Sequence, residues 1–220
     1  MTPRRTLAPD RPGDEDATVD ARAVFLDAAA TVADLVARIP AGAWDGPGLG
    51  VWDLRALVGH TSRSLVTVAT YLAQRAPAVD VPTPEAYYAA IARTGGATGE
   101  AVAQRGVAAG AALGDDPAAA FRALRDDAAD VLGRTGDDEV VPTVAGGMRV
   151  RDYLPTRIFE LAVHGADIGA ATGLPVAFAP AVLADAAVLA ARVSVELGRG
   201  PELLAALTGR GALPPGFSVV

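Results

Sequence analysis

The chain has 220 residues, of which 51% are hydrophobic and 20% are charged, a composition typical of one folded globular domain. Its formal net charge of −7 provides no net attraction for phosphate backbones or anionic lipids, so we expect neither nucleic acid nor a membrane as a partner. The absence of cysteine excludes disulfides, thiolate metal ligands and a cysteine nucleophile. All 19 basic residues are arginine, which excludes a lysine Schiff base. Thiol chemistry would therefore need a thiol supplied from outside the chain.

The N-terminal segment, residues 1–18, mixes proline, arginine and acidic residues without apolar periodicity, which predicts a flexible arm. No apolar segment follows the pair Arg4 and Arg5 before the acidic run that begins at Asp14, so we expect a cytoplasmic protein. The longest uncharged stretch, residues 168–184, is interrupted by Gly173, Pro175 and Pro180. We therefore predict no membrane span.

Apolar residues recur every three or four positions in the next part of the chain, which predicts amphipathic helices. The first helix is predicted over residues 19–39, and the second from Trp52 to about Arg75, with a glycine-rich loop at 41–50 anchored by Trp44. The predicted inward face of the first helix consists of Val19, Ala23, Leu26, Ala30, Ala33, Val36 and Ile39. The predicted inward face of the second consists of Leu54, Leu57, Val58, Leu65, Val68 and Leu72.

Helix-start signals predict two further helices. Residues 83–85, Thr-Pro-Glu, provide a hydroxyl cap, a first-turn proline and an acid that the helix dipole favours. This third helix is predicted to be interrupted at residues 95–96, two glycines, and to continue weakly to residue 113. An Asp-Pro pair predicts the start of the next helix, over residues 116–133.

In the C-terminal third, residues 140–150 predict a short hairpin or an extended excursion, and a long helix is predicted to follow from Asp152 to about Gly173. A further helix over about 179–198, a short helical piece over 201–208 and an extended tail over 211–220 complete the chain.

The number of helices and their short connections predict an all-α protein. We expect an antiparallel four-helix bundle over residues 19–173, with a C-terminal helix and extended tail over residues 174–220.

Two histidines, His60 and His164, are the only imidazoles in the chain. Glu160 and His164 are four positions apart, which places them on one helix face, together with Asp167. Such a Glu-x-x-x-His pair alone is more often a polar surface stripe than a metal site. His60, however, lies in an apolar helix, where both ring nitrogens need partners. His60, Glu160 and His164 would make a three-ligand set of the kind that catalytic zinc sites use, with two ordinary histidines as the alternative.

Other polar residues near these positions suggest weaker hypotheses. Arg149, Arg151 and Arg157 could meet a carboxylate, although exposed solubilising arginines explain at least two of them more simply. Ser62 and Ser64 follow His60, but no Gly-x-Ser-x-Gly turn is present. A histidine that binds metal also cannot act as a base, which disfavours a serine hydrolase.

Two separated motifs resemble a known family. Residues 52–60, W-D-L-R-A-L-V-G-H, resemble the W-x-V-x-x-L-V-x-H signature of the DinB-like superfamily, and more closely of the actinobacterial mycothiol-dependent maleylpyruvate isomerase family. Residues 157–167, R-I-F-E-L-A-V-H-G-A-D, are similar to that family's R-x-x-E-x-x-x-H-G-x-D helix. Residues 206–217 also resemble tails common in these proteins.

The resemblance implies a DinB-like bundle in which a divalent metal, usually zinc, is held by His60, Glu160 and His164. It also implies that Asp167 lies beside the metal as an outer-shell or substrate-contacting group, which makes Asp167 the catalytic candidate. The alternative for Asp167 is a solvated carboxylate at a helix end. Larger members of the family carry a separate C-terminal domain with further substrate-binding residues. Those residues cannot be assigned to positions of this chain.

The expected function is that of a metal-dependent thiol S-transferase or thiol-assisted isomerase, with mycothiol as cosubstrate and a small electrophile as substrate. Two alternatives use the same fold: a hydrolase that activates water at the metal, and a non-catalytic binding or regulatory module. A monomer or a homodimer is expected.

Overall fold

The computed structural model describes residues 20–93 and 99–219. The predicted arm over residues 1–18 and the predicted glycine interruption at residues 95–96 lie outside this part of the chain. The elements are α1 (Ala21–Ala37), α2 (Leu54–Leu72), α3 (Pro84–Arg93), α4 (Gly99–Ala112), α5 (Pro117–Leu132), β1 (Val140–Thr143), β2 (Gly146–Arg149), α6 (Val150–Thr172), α7 (Pro180–Glu196) and α8 (Gly200–Leu207). A short 3-10 turn, Ala41–Ala43, lies between α1 and α2.

Four of these helices form a closed ring, in which α1 and α2 each pack against both α5 and α6. Helices α2 and α6 are antiparallel, as two contacts between their side chains show. His60 of α2 lies against His164 of α6, and Tyr71, further along α2, lies against Tyr153, nearer the start of α6. Outside the ring, α4 covers α2, α7 covers α6, and α3 packs against α6 and α7. The structure therefore confirms the predicted all-α four-helix bundle and its C-terminal helical extension.

The apolar face of α2 was predicted correctly, since all six inward positions are buried. The predicted face of α1 was partly wrong, because Ala23 is exposed and 40% of Leu26 is accessible to solvent. The side chains that α1 buries include Phe25, Val32 and Leu35. Many positions of α1 are alanine, and this small side chain fits both the buried face and the exposed face of a helix. Only the large side chains therefore fix the helix rotation.

Helix ends follow the chemistry of their caps. Asp53 and Asp116 accept hydrogen bonds from backbone N–H groups in the first turns of α2 and α5, at 2.7 and 2.9 Å. The Thr83 hydroxyl accepts from Ala86 N–H at the start of α3. Helix α6 ends at Gly173, which has the left-handed φ of 68° that favours glycine at this position. These caps explain why most helix boundaries were predicted to within a few residues.

The predicted hairpin forms and holds the segment that leads into α3. Strands β1 and β2 pair antiparallel, with Val140 opposite Arg149. Gly147 N–H donates to the Asp80 carboxylate at 2.8 Å, and the N–H groups of Asp80 and Val81 donate to the Gly147 carbonyl. These bonds fix the start of α3, whose Tyr87 and Tyr88 are buried beside α6.

Glycines allow α4 to lie directly on the backbone of α2. A Cβ atom added to Gly59 would lie 2.1 Å from Gly110 N, and one added to Gly106 would lie 2.6 Å from the ring of Trp52. The Trp52 indole N–H donates to the Ala103 carbonyl at 2.9 Å. Helix α4 therefore clamps the Trp52 ring, which in turn contacts His60 at a centroid distance of 4.6 Å.

The last described residues are held at the junction of α7 and α8. The Arg199 guanidinium lies 3.9 Å from the centroid of the Phe217 ring and donates to the Ser218 carbonyl at 2.6 Å. Residues 211–216 are exposed. Across the described ranges, none of the helices has the length and apolar character needed to cross a membrane.

The substitution Gly59→Ala tests the contact between α2 and α4. Alanine favours a helix interior by about 1 kcal/mol over glycine, so propensity alone would raise the free energy of unfolding. We expect a loss of roughly 1–3 kcal/mol instead, because the new methyl group overlaps the Gly110 backbone. The control, Gly42→Ala, meets no atom within 4 Å and should change stability by less than about 0.5 kcal/mol. Urea unfolding measures both, and an unchanged or higher stability of Gly59→Ala would contradict the close contact.

Candidate metal centre

Three potential metal ligands converge between α2 and α6. One ligand atom from each of His60, Glu160 and His164 lies within 4.8 Å of the others, and all three residues are partly buried. Three atoms this close share a centre at most about 2.8 Å from each. Zinc ligands at roughly 2.0–2.1 Å in a tetrahedral site lie about 3.4 Å apart. Small side-chain movements would therefore bring the three atoms to ligand distance.

The spacing of polar residues along α6 places these groups on one face. Arg157, Glu160, His164 and Asp167 follow one another at intervals of three or four residues, the repeat of the α-helix. Apolar neighbours of Glu160, including Phe159 and Leu161, are buried in the core. The bundle thus turns a polar stripe of α6 towards His60 of α2.

His164 lies between two carboxylates. Its Nε2 atom is 3.3 Å from Glu160 Oε2, and its Nδ1 atom is 3.0 Å from Asp167 Oδ2. Burial alone would lower the pKa of His164, but the hydrogen bonds with Asp167 and Glu160 outweigh it and raise the pKa to about 9. Asp167 therefore contacts the outer nitrogen of His164, while Nε2 faces Glu160.

The Glu160 carboxylate has a separate partner for each oxygen. Oε1 accepts a hydrogen bond from the Tyr88 hydroxyl at 2.9 Å, and Oε2 faces His164. Burial would raise the pKa of Glu160, but the hydrogen bond with His164 and the charge of Arg157 lower it to about 2. Glu160 is thus an ionised carboxylate at neutral pH, the form that binds a cation.

His60 supplies the strongest indication that this cluster of donors suits a cation. Burial lowers the pKa of His60 to about 4, and the neighbouring positive charge of His164 acts in the same direction. Its Nδ1 atom is buried and has no hydrogen-bond partner among the described residues. A buried polar atom is rarely left unpaired. A neutral imidazole beside an ionised carboxylate and a second imidazole fits a divalent cation.

The remaining sequence candidates lie elsewhere or play structural parts. Arg149 and Arg151 lie near acidic side chains at the start of α6, outside the cluster of donors. Arg157 is only 8% exposed, donates to the Tyr87 hydroxyl at 3.3 Å and stacks over the Tyr87 and Tyr153 rings. The Ser62 hydroxyl is buried and donates to a backbone carbonyl of its own helix.

Sequence reasoning missed Tyr88, which contacts Glu160 across 72 positions of the chain. The sequence shows only that this tyrosine lies in a predicted helix, next to a second tyrosine. Only the packing of α3 against α6 reveals the contact.

The fold and the donor set define a class: DinB-like helical bundles with a histidine on one helix opposite a Glu-x-x-x-His pair on another. The family model described as the mycothiol maleylpyruvate isomerase N-terminal domain matches residues 25–169, about two thirds of the chain, and the chain belongs to this family. The family suggested by the two sequence motifs is thereby confirmed. A search of the curated proteins and a search of the solved structures gave no match.

The two histidines should titrate on opposite sides of their ordinary pKa of about 6.5 in metal-free protein. We expect a pKa near 4 for His60 and near 9 for His164, measured by NMR of the ring resonances in the presence of a chelator. Asp167→Asn should lower the pKa of His164, because it removes the carboxylate charge from Nδ1. Titration of both rings near 6.5 would contradict the observed pairing.

Proposed function

We propose that this chain is a metal-dependent enzyme that uses a low-molecular-weight thiol of the mycothiol type to transform a small electrophile. The reaction would be an S-transfer or a thiol-assisted isomerisation. Family membership connects the chain with mycothiol-related isomerase chemistry. The observation that carries the proposal is the convergence of His60, Glu160 and His164 in a chain without cysteine.

The donor set fits zinc. Two imidazole nitrogens and one carboxylate oxygen are common ligands of this cation, and three protein ligands leave a coordination position for a thiol. His60 and His164 would bind as neutral rings and Glu160 as an anion. Asp167 would act as a positioning residue, because its carboxylate holds the outer nitrogen of His164 and so fixes the tautomer and ring orientation.

A bound cation would lower the pKa of a coordinated thiol, so that a thiolate is available at neutral pH. Isomerisation would then proceed by attack of the thiolate on one end of a conjugated double bond: the carbon–sulfur bond forms as the π bond breaks, and the π electron pair moves onto the conjugated electron-withdrawing group. After rotation about the resulting single bond, the return of this electron pair would restore the double bond and expel the thiolate. In a transferase the carbon–sulfur bond would persist, because the displaced electron pair would take up a proton from solvent or leave with a leaving group of the electrophile.

Metal binding should release a proton, which identifies His164 as a ligand. At pH 7.5 the His164 ring of the metal-free protein is protonated, whereas His60 is already neutral, so each zinc ion should displace about one proton. Zinc affinity should therefore rise about tenfold per pH unit up to pH 9 and then level off. Isothermal titration calorimetry in buffers of different ionisation enthalpy measures the proton count.

Matched variants serve as controls for this titration. Glu160→Gln should weaken zinc binding by more than about tenfold, and His164→Ala should abolish it while the helical circular dichroism remains. Glu196→Gln, which changes an exposed glutamate of α7, should bind zinc like the wild type. Wild-type protein that binds no zinc, or binding without proton release, would contradict the proposed site.

The thiol requirement is tested separately with cobalt in place of zinc. Addition of mycothiol should produce a sulfur-to-metal charge-transfer band at a pH well below the pKa of a free cysteine-like thiol, about 8.5. Turnover of a small electrophile should require the thiol, because the chain has no cysteine. Turnover without a thiol, and a spectrum that no thiol perturbs, would favour metal-activated water and hydrolysis instead.

A further inference from the structure

We infer that Tyr88 is a positioning residue that anchors one oxygen of Glu160, so that only the other oxygen is presented to the two histidines. This inference rests on the proposed function, because it assigns a part in metal binding to a residue outside the ligand set.

The contacts of Glu160 divide its carboxylate into an oxygen that faces Tyr88 and an oxygen that faces His164. The Tyr88 hydroxyl donates to Oε1 at 2.9 Å, while Oε2 lies 3.3 Å from His164 Nε2. A hydrogen bond to an ionised carboxylate is about twice as strong as one between neutral groups. The bond therefore holds Oε1 away from the cluster formed by His60, Glu160 and His164.

The Tyr88 ring is held rigidly enough to perform this task. It is 7% exposed and meets the rings of Tyr87 and Phe159 edge-on, at centroid distances of 5.4 and 5.5 Å. Its hydroxyl also lies 3.1 Å from the Thr156 carbonyl oxygen. A buried aromatic side chain with two torsion angles and neighbours on several sides has little freedom to leave the carboxylate.

Glu160 and His164, the two proposed ligands on α6, thus each have a partner on the side that faces away from the cluster. Asp167 holds the Nδ1 side of His164, and Tyr88 holds the Oε1 side of Glu160. The two inner atoms, His164 Nε2 and Glu160 Oε2, remain directed at each other. Outer partners of this kind orient metal ligands and commonly account for 10- to 100-fold in metal affinity.

The anchored oxygen also limits the number of coordination positions that Glu160 can occupy. A carboxylate can bind a cation through one oxygen or both, and the Tyr88 bond favours binding through Oε2 alone. One-oxygen binding leaves a coordination position for the thiol. Without the Tyr88 hydroxyl, Oε1 would be a buried acceptor without a hydrogen bond from Tyr88, and binding to the cation would offset the cost of its desolvation.

Tyr88→Phe tests this assignment, with Tyr87→Phe as the matched control. The Tyr87 hydroxyl accepts from Arg157 and is not bonded to Glu160, although it lies one position away in the same helix. We expect Tyr88→Phe to weaken zinc binding by 10- to 100-fold in a chelator competition. Its cobalt absorption should also lose intensity, as expected when a second carboxylate oxygen raises the coordination number. Tyr87→Phe should leave both readouts unchanged.

The outcomes separate the inference from the proposed function. Wild-type affinity and a wild-type cobalt spectrum in Tyr88→Phe would overturn the inference, even if thermal stability fell, because Tyr88 would then be only structural. An equal loss in Tyr87→Phe would also overturn it, because the effect would not depend on the bond to Glu160. Failure of the wild-type protein to bind zinc would overturn the proposed function as well.

Discussion

The antiparallel contact between α2 and α6 is the constraint on which the rest of the structure depends. It presses His60 of one helix against Glu160 and His164 of the other, so that three polar groups share one partly buried space. In metal-free protein that space holds a proton on His164, balanced by Glu160 and Asp167, while burial keeps His60 neutral. Replacement of this proton by a divalent cation would give His60, Glu160 and His164 a common partner.

The elements outside the four-helix ring hold the side chains that surround this space. Helix α4 approaches α2 closely through glycines and fixes Trp52 against the His60 ring. The hairpin ties down the segment before α3 through Gly147, and α3 delivers the Tyr88 hydroxyl to Glu160. Two of the three proposed ligands, His60 and Glu160, therefore depend on helices outside the four-helix ring, whereas His164 is held by Asp167 of its own helix. Such support is what a metal site needs if its ligands are to keep their geometry.

The sequence predicted those features that depend on local chemistry. Caps, prolines and glycines marked helix ends, and the large side chains of α2 identified its inward face. The face of α1 was misjudged because its alanines are compatible with more than one rotation. The grouping of His60 with Glu160 and His164 could be predicted, because the chain has only two histidines. Tyr88 was not, because its role arises from a contact between helices that no spacing along the chain encodes.

The most direct test of the account is X-ray absorption at the zinc edge, on zinc-loaded protein before and after addition of mycothiol. Before addition, the spectrum should fit nitrogen and oxygen neighbours alone, with an imidazole contribution from two histidines at roughly 2.0–2.1 Å. After addition, one sulfur neighbour should appear at about 2.3 Å. That sulfur must come from the thiol, because the chain has no cysteine. A zinc ion without imidazole neighbours, or one that acquires no sulfur at saturating thiol, would contradict the account.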